Sequence, residues 1–184
     1  MDVSDALLKI AFFSKEEIET IIKELKPISF RKGDCILKKG DVCQSAYFIQ
    51  KGAVYQYVPG ESNDLVIDLH ATGDWVLNQA SFIAQKPSKY EIRCFEQVDL
   101  MELSVHSIHA LIQRSSKFFI LGKILEQGGE RAMFFDQTHS PAEKYKYIFE
   151  KRPALLQKFP LKMIASYLKI TPETLSRVRS AFTK

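Results

Sequence analysis

The spacing of apolar residues changes twice along the chain, and each change predicts a different kind of element. Residues 6–25 alternate apolar and polar positions at helical spacing, with Ile18, Ile21, Ile22 and Leu25 as the buried stripe. Ser14-Lys15-Glu16-Glu17 reads as a capping box, and Pro27 ends the helix. From Ile28 to about Leu103 the pattern shortens to runs of β-branched and aromatic residues. These are Cys35–Leu37, Ala46–Ile49, Ala53–Val58, Leu65–Leu69, Tyr90–Cys94 and Val98–Leu103. Turns at Gly33-Asp34, Gly40-Asp41, Gly52, Gly60 and Gly73-Asp74 separate them. Turn signals at roughly 8–12-residue intervals predict a small antiparallel barrel or roll.

A helical period returns from Ser104 to about Asp136. Leu111, Phe118, Leu125 and Ala132 recur every seven residues, as do Ser115, Gly122 and Gly129. A heptad stripe flanked by small residues suits a close helix–helix seam between two copies of the chain; the alternative is that the stripe packs on the roll. Gly128-Gly129 weakens this helix. Ser140-Pro141-Ala142-Glu143 starts a new helix with a cap, Pro at the first position and Glu at the third. The segment Asp136–Ser140 is then the expected hinge. Arg152-Pro153 and Phe159-Pro160 divide the rest of the tail into short elements.

The last 24 residues, Leu161–Lys184, read as a helix-turn-helix. Ile164, Ala165 and Leu168 share one face of a first helix, Ile170 sits in the turn, and Leu175 and Val178 share one face of a second. Ala165 is the small residue where steeply crossing helices must approach. Thr171-Pro172-Glu173 starts the second helix: a cap, a proline at the first position, and a carboxylate at the positive end of the dipole. Its outer side carries Glu173, Thr174, Ser176, Arg177 and Ser180, which suit base edges in a major groove. Lys169 occupies the turn position that calls for φ > 0, so strain is expected there.

Charge sharpens this picture. Residues 141–184 hold 10 basic and 3 acidic side chains, net +7; the first 140 hold 16 and 19, net −3. A basic tail on a mildly acidic body is expected when only one end meets phosphates. The N-terminus is broken by charges, so neither a signal peptide nor a membrane span is expected. Cys35, Cys43 and Cys94 are odd in number and lack metal-ligand spacing. They read as reduced thiols of a cytoplasmic protein, and an iron–sulfur centre needs about four clustered cysteines. A cupin-like metal enzyme would need two or three converging histidines. Here His70 is alone on its strand, His106 and His109 start a helix, and His139 lies in the hinge. No nucleophile elbow or phosphate loop is present, so the chain is read as a non-enzyme.

The order of a Gly-punctuated roll, a long helix and a terminal helix-turn-helix resembles the Crp/Fnr family of bacterial transcription regulators. The resemblance spans almost the whole chain. It rests on Lys39-Gly40-Asp41 with Ala46–Val54, on Gly73-Asp74-Trp75 leading into the family's phosphate-binding cassette, and on Thr171–Arg177, which keeps an E-x-x-S-R pattern. It implies an α+β fold: an N-terminal antiparallel β-roll, a long dimerisation helix, and a C-terminal helix-turn-helix. The boundaries expected are residues 1–105, 106–136 and 137–184. The sequence ends at Lys184, so a reduced wing is expected. Double-stranded DNA and a second copy of the chain are the implied partners, with RNA polymerase a further candidate and no membrane.

Within the implied DNA site, Glu173 suits cytosine N4 and Arg177 suits guanine O6 and N7. Ser176, Thr171 and Thr174 are further candidates, and Arg179 and Lys162 are candidate phosphate contacts. Pro172 stands where some members carry another Arg reader. The cassette departs more from the family. Asn78 or Gln79 occupies the position of a ribose-binding Glu, and Ser88-Lys89 or Pro87-Ser88 that of an Arg-Ser phosphate clamp, followed by Tyr90. Lys89 offers only a point charge, and Leu125-Glu126 replaces hydroxyl residues at the lid. Cyclic AMP is therefore disfavoured: no cofactor is assigned, and a small-molecule effector of another kind, or none, is left open. A ligand-sensing module that acts through a protein partner is the alternative reading.

Overall fold

The computed structural model describes residues 2–60, 64–125 and 139–182. The N-terminal stretch forms two helices rather than one, α1 (Val3–Ile10) and α2 (Lys15–Glu24). The capping box at Ser14 separates them. Glu17 N–H donates to Ser14 Oγ, and Ser14 N–H donates back to the Glu17 carboxylate at 2.7 Å. This reciprocal pair, in which Ser14 and Glu17 each accept the other's backbone N–H, starts a helix afresh and ends the periodic run before it.

Eight strands follow: β1 (Lys26–Phe30), β2 (Cys35–Leu37), β3 (Ser45–Lys51), β4 (Ala53–Val58), β5 (Leu65–Ala71), β6 (Trp75–Val76), β7 (Glu91–Cys94) and β8 (Val98–Ser104). A short helix, α3 (Gln79–Ala84), lies between β6 and β7. The strands form two four-stranded sheets, ordered β1-β8-β3-β6 and β2-β7-β4-β5, and every pairing is antiparallel. This is the expected roll. β1 contains Pro27, which an edge strand tolerates because one row of its N–H groups has no ladder partner.

The two faces of the second sheet have different neighbours. Val54, Ile92 and Cys94 face the roll interior with Phe48, Val98 and Leu100, under α1, α2 and the segment after β8. Ala53, Leu69 and Ala71 face outward into a second core. The tail helices complete that core. They are α5 (Pro141–Lys151), α6 (Pro153–Lys158), α7 (Leu161–Tyr167) and α8 (Pro172–Phe182). Tyr145, Ile148, Leu155, Phe159, Ile164, Leu168 and Leu175 contribute its buried side chains.

The segment after the roll departs from the expected continuous helix. α4 (Val105–Arg114) stops at Ser115, whose backbone is extended at φ −158°, and a 3₁₀ helix follows over Ser116–Gly122. Ser115 Oγ accepts the Lys117 N–H at 3.3 Å, so the serine acts as a new cap in mid-run. The heptad stripe also has a different neighbour from the one expected. Leu111 and Phe118 are buried in the roll core beside Leu121 and Ile124, and Leu125 packs against them. Over its described part the stripe thus covers its own roll, the alternative expected above. Gly128-Gly129, Ala132 and the expected hinge up to residue 138 lie outside the described residues.

Candidate nucleic-acid interface and effector cassette

α7 and α8 meet as the sequence predicts. Ile164, Ala165, Leu168 and Leu175 are each at most 1% exposed, and Ile170 and Val178 are half-buried beside them. The turn is a Schellman motif: Ile170 N–H donates to Ala165 O and Lys169 N–H to Ser166 O, both at 3.0 Å. Lys169 sits at its left-handed position with φ +56°. A lysine there costs about 1 kcal/mol that glycine would not. Lys169→Gly is expected to raise the unfolding free energy by about that amount, measured by urea titration. Lys144, buried on α5, donates from Nζ to Leu168 O at 3.2 Å and satisfies another carbonyl at the end of α7. Helical spacing alone carries no sign of this role.

Thr171 caps α8. Its Oγ1 accepts the Thr174 N–H at 3.2 Å and lies 3.1 Å from the Thr174 hydroxyl. Both threonines are engaged in starting the helix. Glu173, Ser176, Arg177 and Ser180 are exposed along α8. The Glu173 carboxyl is held below its ordinary pKa by a backbone N–H, by the Thr171 hydroxyl and by the charge of Arg177 one turn on. It is therefore an acceptor at neutral pH. Arg179 is rotated by about 200° from Arg177 around the helix and lines an open groove with Tyr145, Phe149 and Leu161. Lys162 is exposed on α7. Glu173 and Arg177 are thus neighbours on one exposed side of α8, and Arg179, across the helix from Arg177, lies about 60° from Ser176.

The cassette is closed on itself. Asn78 caps α3 by accepting the Ser81 N–H at 2.9 Å, and its Nδ2 donates to Ser88 Oγ at 2.9 Å. Ser88 Oγ donates in turn to Tyr90 O at 2.6 Å. Asn78 and Ser88 are 3% and 4% exposed, whereas Lys89 is exposed and Gln79 and Tyr90 are half-buried. Asn78 and Ser88, two of the residues expected to line an effector pocket, therefore hydrogen-bond each other. Lys89 stands apart from them on the surface.

A further polar cluster joins the roll to the tail, and no sequence pattern announces it. Arg152, between α5 and α6, donates from Nη2 to Asp74 at 2.6 Å and from Nη1 to the Tyr167 hydroxyl at 3.2 Å. Its Nη1 also lies 3.5 Å from Asp68. Burial alone would lower its pKa; Asp74, Tyr167 and Asp68 more than offset this and raise it. His70 Nε2 lies 3.4 Å from Asp68 and 3.1 Å from Gln56 Nε2. Gln56 also donates to Leu77 O at 3.1 Å.

Among the described residues, no group of three or more His, Cys, Asp or Glu side chains is placed to hold a metal. The cysteines are free, and burial raises all three thiol pKa values, that of Cys94 to about 12. Iodoacetamide at pH 7.5 is expected to leave Cys43 and Cys94 unmodified in the native protein and to label them once it is denatured, read by mass spectrometry. No helix in the described residues is long and apolar enough to cross a membrane.

Comparison with known proteins agrees with this architecture. Residues 27–115 match the cyclic nucleotide-binding domain family. The chain is 25% identical over 191 residues to the fumarate and nitrate reduction regulatory protein of Yersinia pestis, covering 92% of this chain and 72% of that protein. FixK2 from Bradyrhizobium japonicum has the same fold with a TM-score of 0.68 at 15% identity, over 86% of this chain and 84% of that one. The catabolite activator protein of Thermus thermophilus gives 0.57 at 19%, over 93% and 84%. The roll thus matches the cyclic nucleotide-binding domain family over residues 27–115, and the chain as a whole, roll followed by helix-turn-helix, is similar to transcription regulators of the Crp/Fnr type.

Proposed function

We propose that this chain is a transcription regulator of the Crp/Fnr type that binds double-stranded DNA as a homodimer and reads an inverted repeat through α8. The observation that carries this reading is the exposed set Glu173, Ser176 and Arg177, presented on a helix that is anchored by buried Leu175 and half-buried Val178 and whose entry is fixed by a cap and a Schellman turn. Arg177 donates to guanine and Glu173 accepts from cytosine; exposed Lys162 meets a phosphate. Thr171 and Thr174 serve the helix start, and Arg179 contacts a phosphate at the margin of the reading surface. Two copies would place their α8 helices in major grooves about 34 Å apart. Residues 1–105 then form the sensor and 137–184 the DNA-reading unit. Action on the chromosome would place the protein in the cytoplasm, with RNA polymerase as a further partner and no catalytic step. The pairing surface lies elsewhere than on Leu111 and Phe118, which the roll occupies.

Anisotropy titration of labelled duplex DNA against salt tests this reading. Binding should weaken steeply as salt rises, and sedimentation at micromolar concentration should show a dimer. A strictly monomeric chain, or one that fails to bind any duplex at moderate salt, would favour a module acting on a protein partner. The Asn78–Ser88 bond argues that cyclic AMP is not the effector. Calorimetric titration with cyclic AMP should give no saturable heat at micromolar concentration.

A further inference from the structure

Arg152 is an enclosed cation at the seam between the roll and the tail, with its side chain 10% exposed. Its partners belong to two places that matter to the proposed function. Tyr167 closes α7, the first helix of the helix-turn-helix. Asp74 forms the turn that leads into the cassette, where it also accepts the Ala71 N–H at 2.9 Å. Asp68 lies on β5, the edge strand against which the tail packs. Behind Asp68, the contacts His70, Gln56 and Leu77 O lead to Asn78, the cap of the cassette helix. Beside the ion cluster, Val66 N–H donates across the seam to Ser166 Oγ at 3.1 Å.

We propose that Arg152 is a latch: by closing on Asp68 and Asp74 it fixes the helix-turn-helix on the edge of the roll, and through Gln56 and His70 it passes changes in the cassette to the DNA-reading helices. The reading of the tail as a DNA-binding unit underlies the second half of this proposal; the latch itself is a matter of seam geometry. Arg suits the task because a planar fork can meet carboxylates on two sides while still donating to a hydroxyl. The two carboxylates, both on the roll side of the seam, need it in return: the cation offsets their mutual repulsion, which matters most for Asp68, only 10% exposed. A two-state element that both sites bias is what coupling requires.

Hydrogen exchange on the full chain, resolved at the Val66 amide, tests the latch without DNA. Arg152→Gln should speed exchange at Val66 at least tenfold while the β3–β8 ladder keeps its protection, and Arg152→Lys should have a smaller effect. Gln56→Met touches no tail residue, yet it should speed Val66 at least threefold alone and add nothing to Arg152→Gln. Unchanged Val66 exchange in Arg152→Gln, or equal acceleration of the β3–β8 ladder, overturns the latch. Full additivity of Gln56→Met with Arg152→Gln, or no effect of Gln56→Met alone, overturns the relay. If no variant binds duplex DNA while these exchange patterns hold, the DNA reading fails and the latch stands.

Discussion

Replacing Arg177 by alanine should erase most of the protein's sequence preference while leaving its fold and much of its non-specific DNA binding. Arg177 is exposed, so its removal opens no cavity. A bidentate arginine–guanine pair discriminates by about 1–3 kcal/mol, and a dimer makes it twice, so selectivity should fall by roughly 30-fold to 10⁴-fold. Glu173→Ala should relax the preference at a different base pair. Because the Glu173 carboxyl is held below its ordinary range, it stays ionised as pH falls through the range where an ordinary glutamate protonates. Its contribution is therefore present at neutral pH and lost only as pH falls through that depressed value. Competition titrations of a preferred duplex against a scrambled one measure both effects. Retained preference in both variants would remove these side chains from the readout.

The largest expected effect on stability comes from Gly52→Ala. Gly52 joins β3 to β4 with φ +101°, and a Cβ built there would lie 2.5 Å from the Gln97 carbonyl oxygen and 2.7 Å from Val98 Cγ1. Neither neighbour is the free end of a flexible side chain, because Gln97 offers backbone and Val98 is fully buried in the roll. Backbone strain and overpacking each cost about 1–3 kcal/mol, so the variant should lose roughly 2–6 kcal/mol. Urea unfolding followed by tryptophan fluorescence suits this test, since Trp75 packs on Phe48 in the same roll. By contrast, Gly33 and Gly40 share the positive φ but have nothing within 4 Å of a built Cβ, and alanine there should cost only the backbone strain.

The parts legible in the sequence were those set by short-range rules. The capping boxes at Ser14 and Ser140 formed as written, β4 took the predicted bounds, and Lys169 adopted the strained turn its position demanded. What escaped was set by contacts between distant segments. A seven-residue stripe says which face of a helix is apolar but not what covers it, and the roll took Leu111 and Phe118. Ser115 reads as a small seam residue until it caps the turn that ends α4. β1 was hidden by Pro27, and β6, with two residues, is too short to show a period. Of the expected pocket residues Asn78, Gln79, Ser88, Lys89 and Tyr90, Asn78 bonds Ser88 and Ser88 bonds the Tyr90 backbone, contacts between segments ten residues apart that no local pattern announces. Arg152 and Asp68 are 84 residues apart in sequence, a separation at which no local pattern registers.

Selection of bound duplexes from a random DNA library, using the purified chain, tests the central claim most directly. Enrichment of a single inverted repeat, with half-sites one helical turn apart and a G·C pair whose preference disappears in Arg177→Ala, is the predicted result. A pool that stays random after repeated rounds, or a preference that Arg177→Ala leaves intact, would contradict the claim that α8 reads DNA.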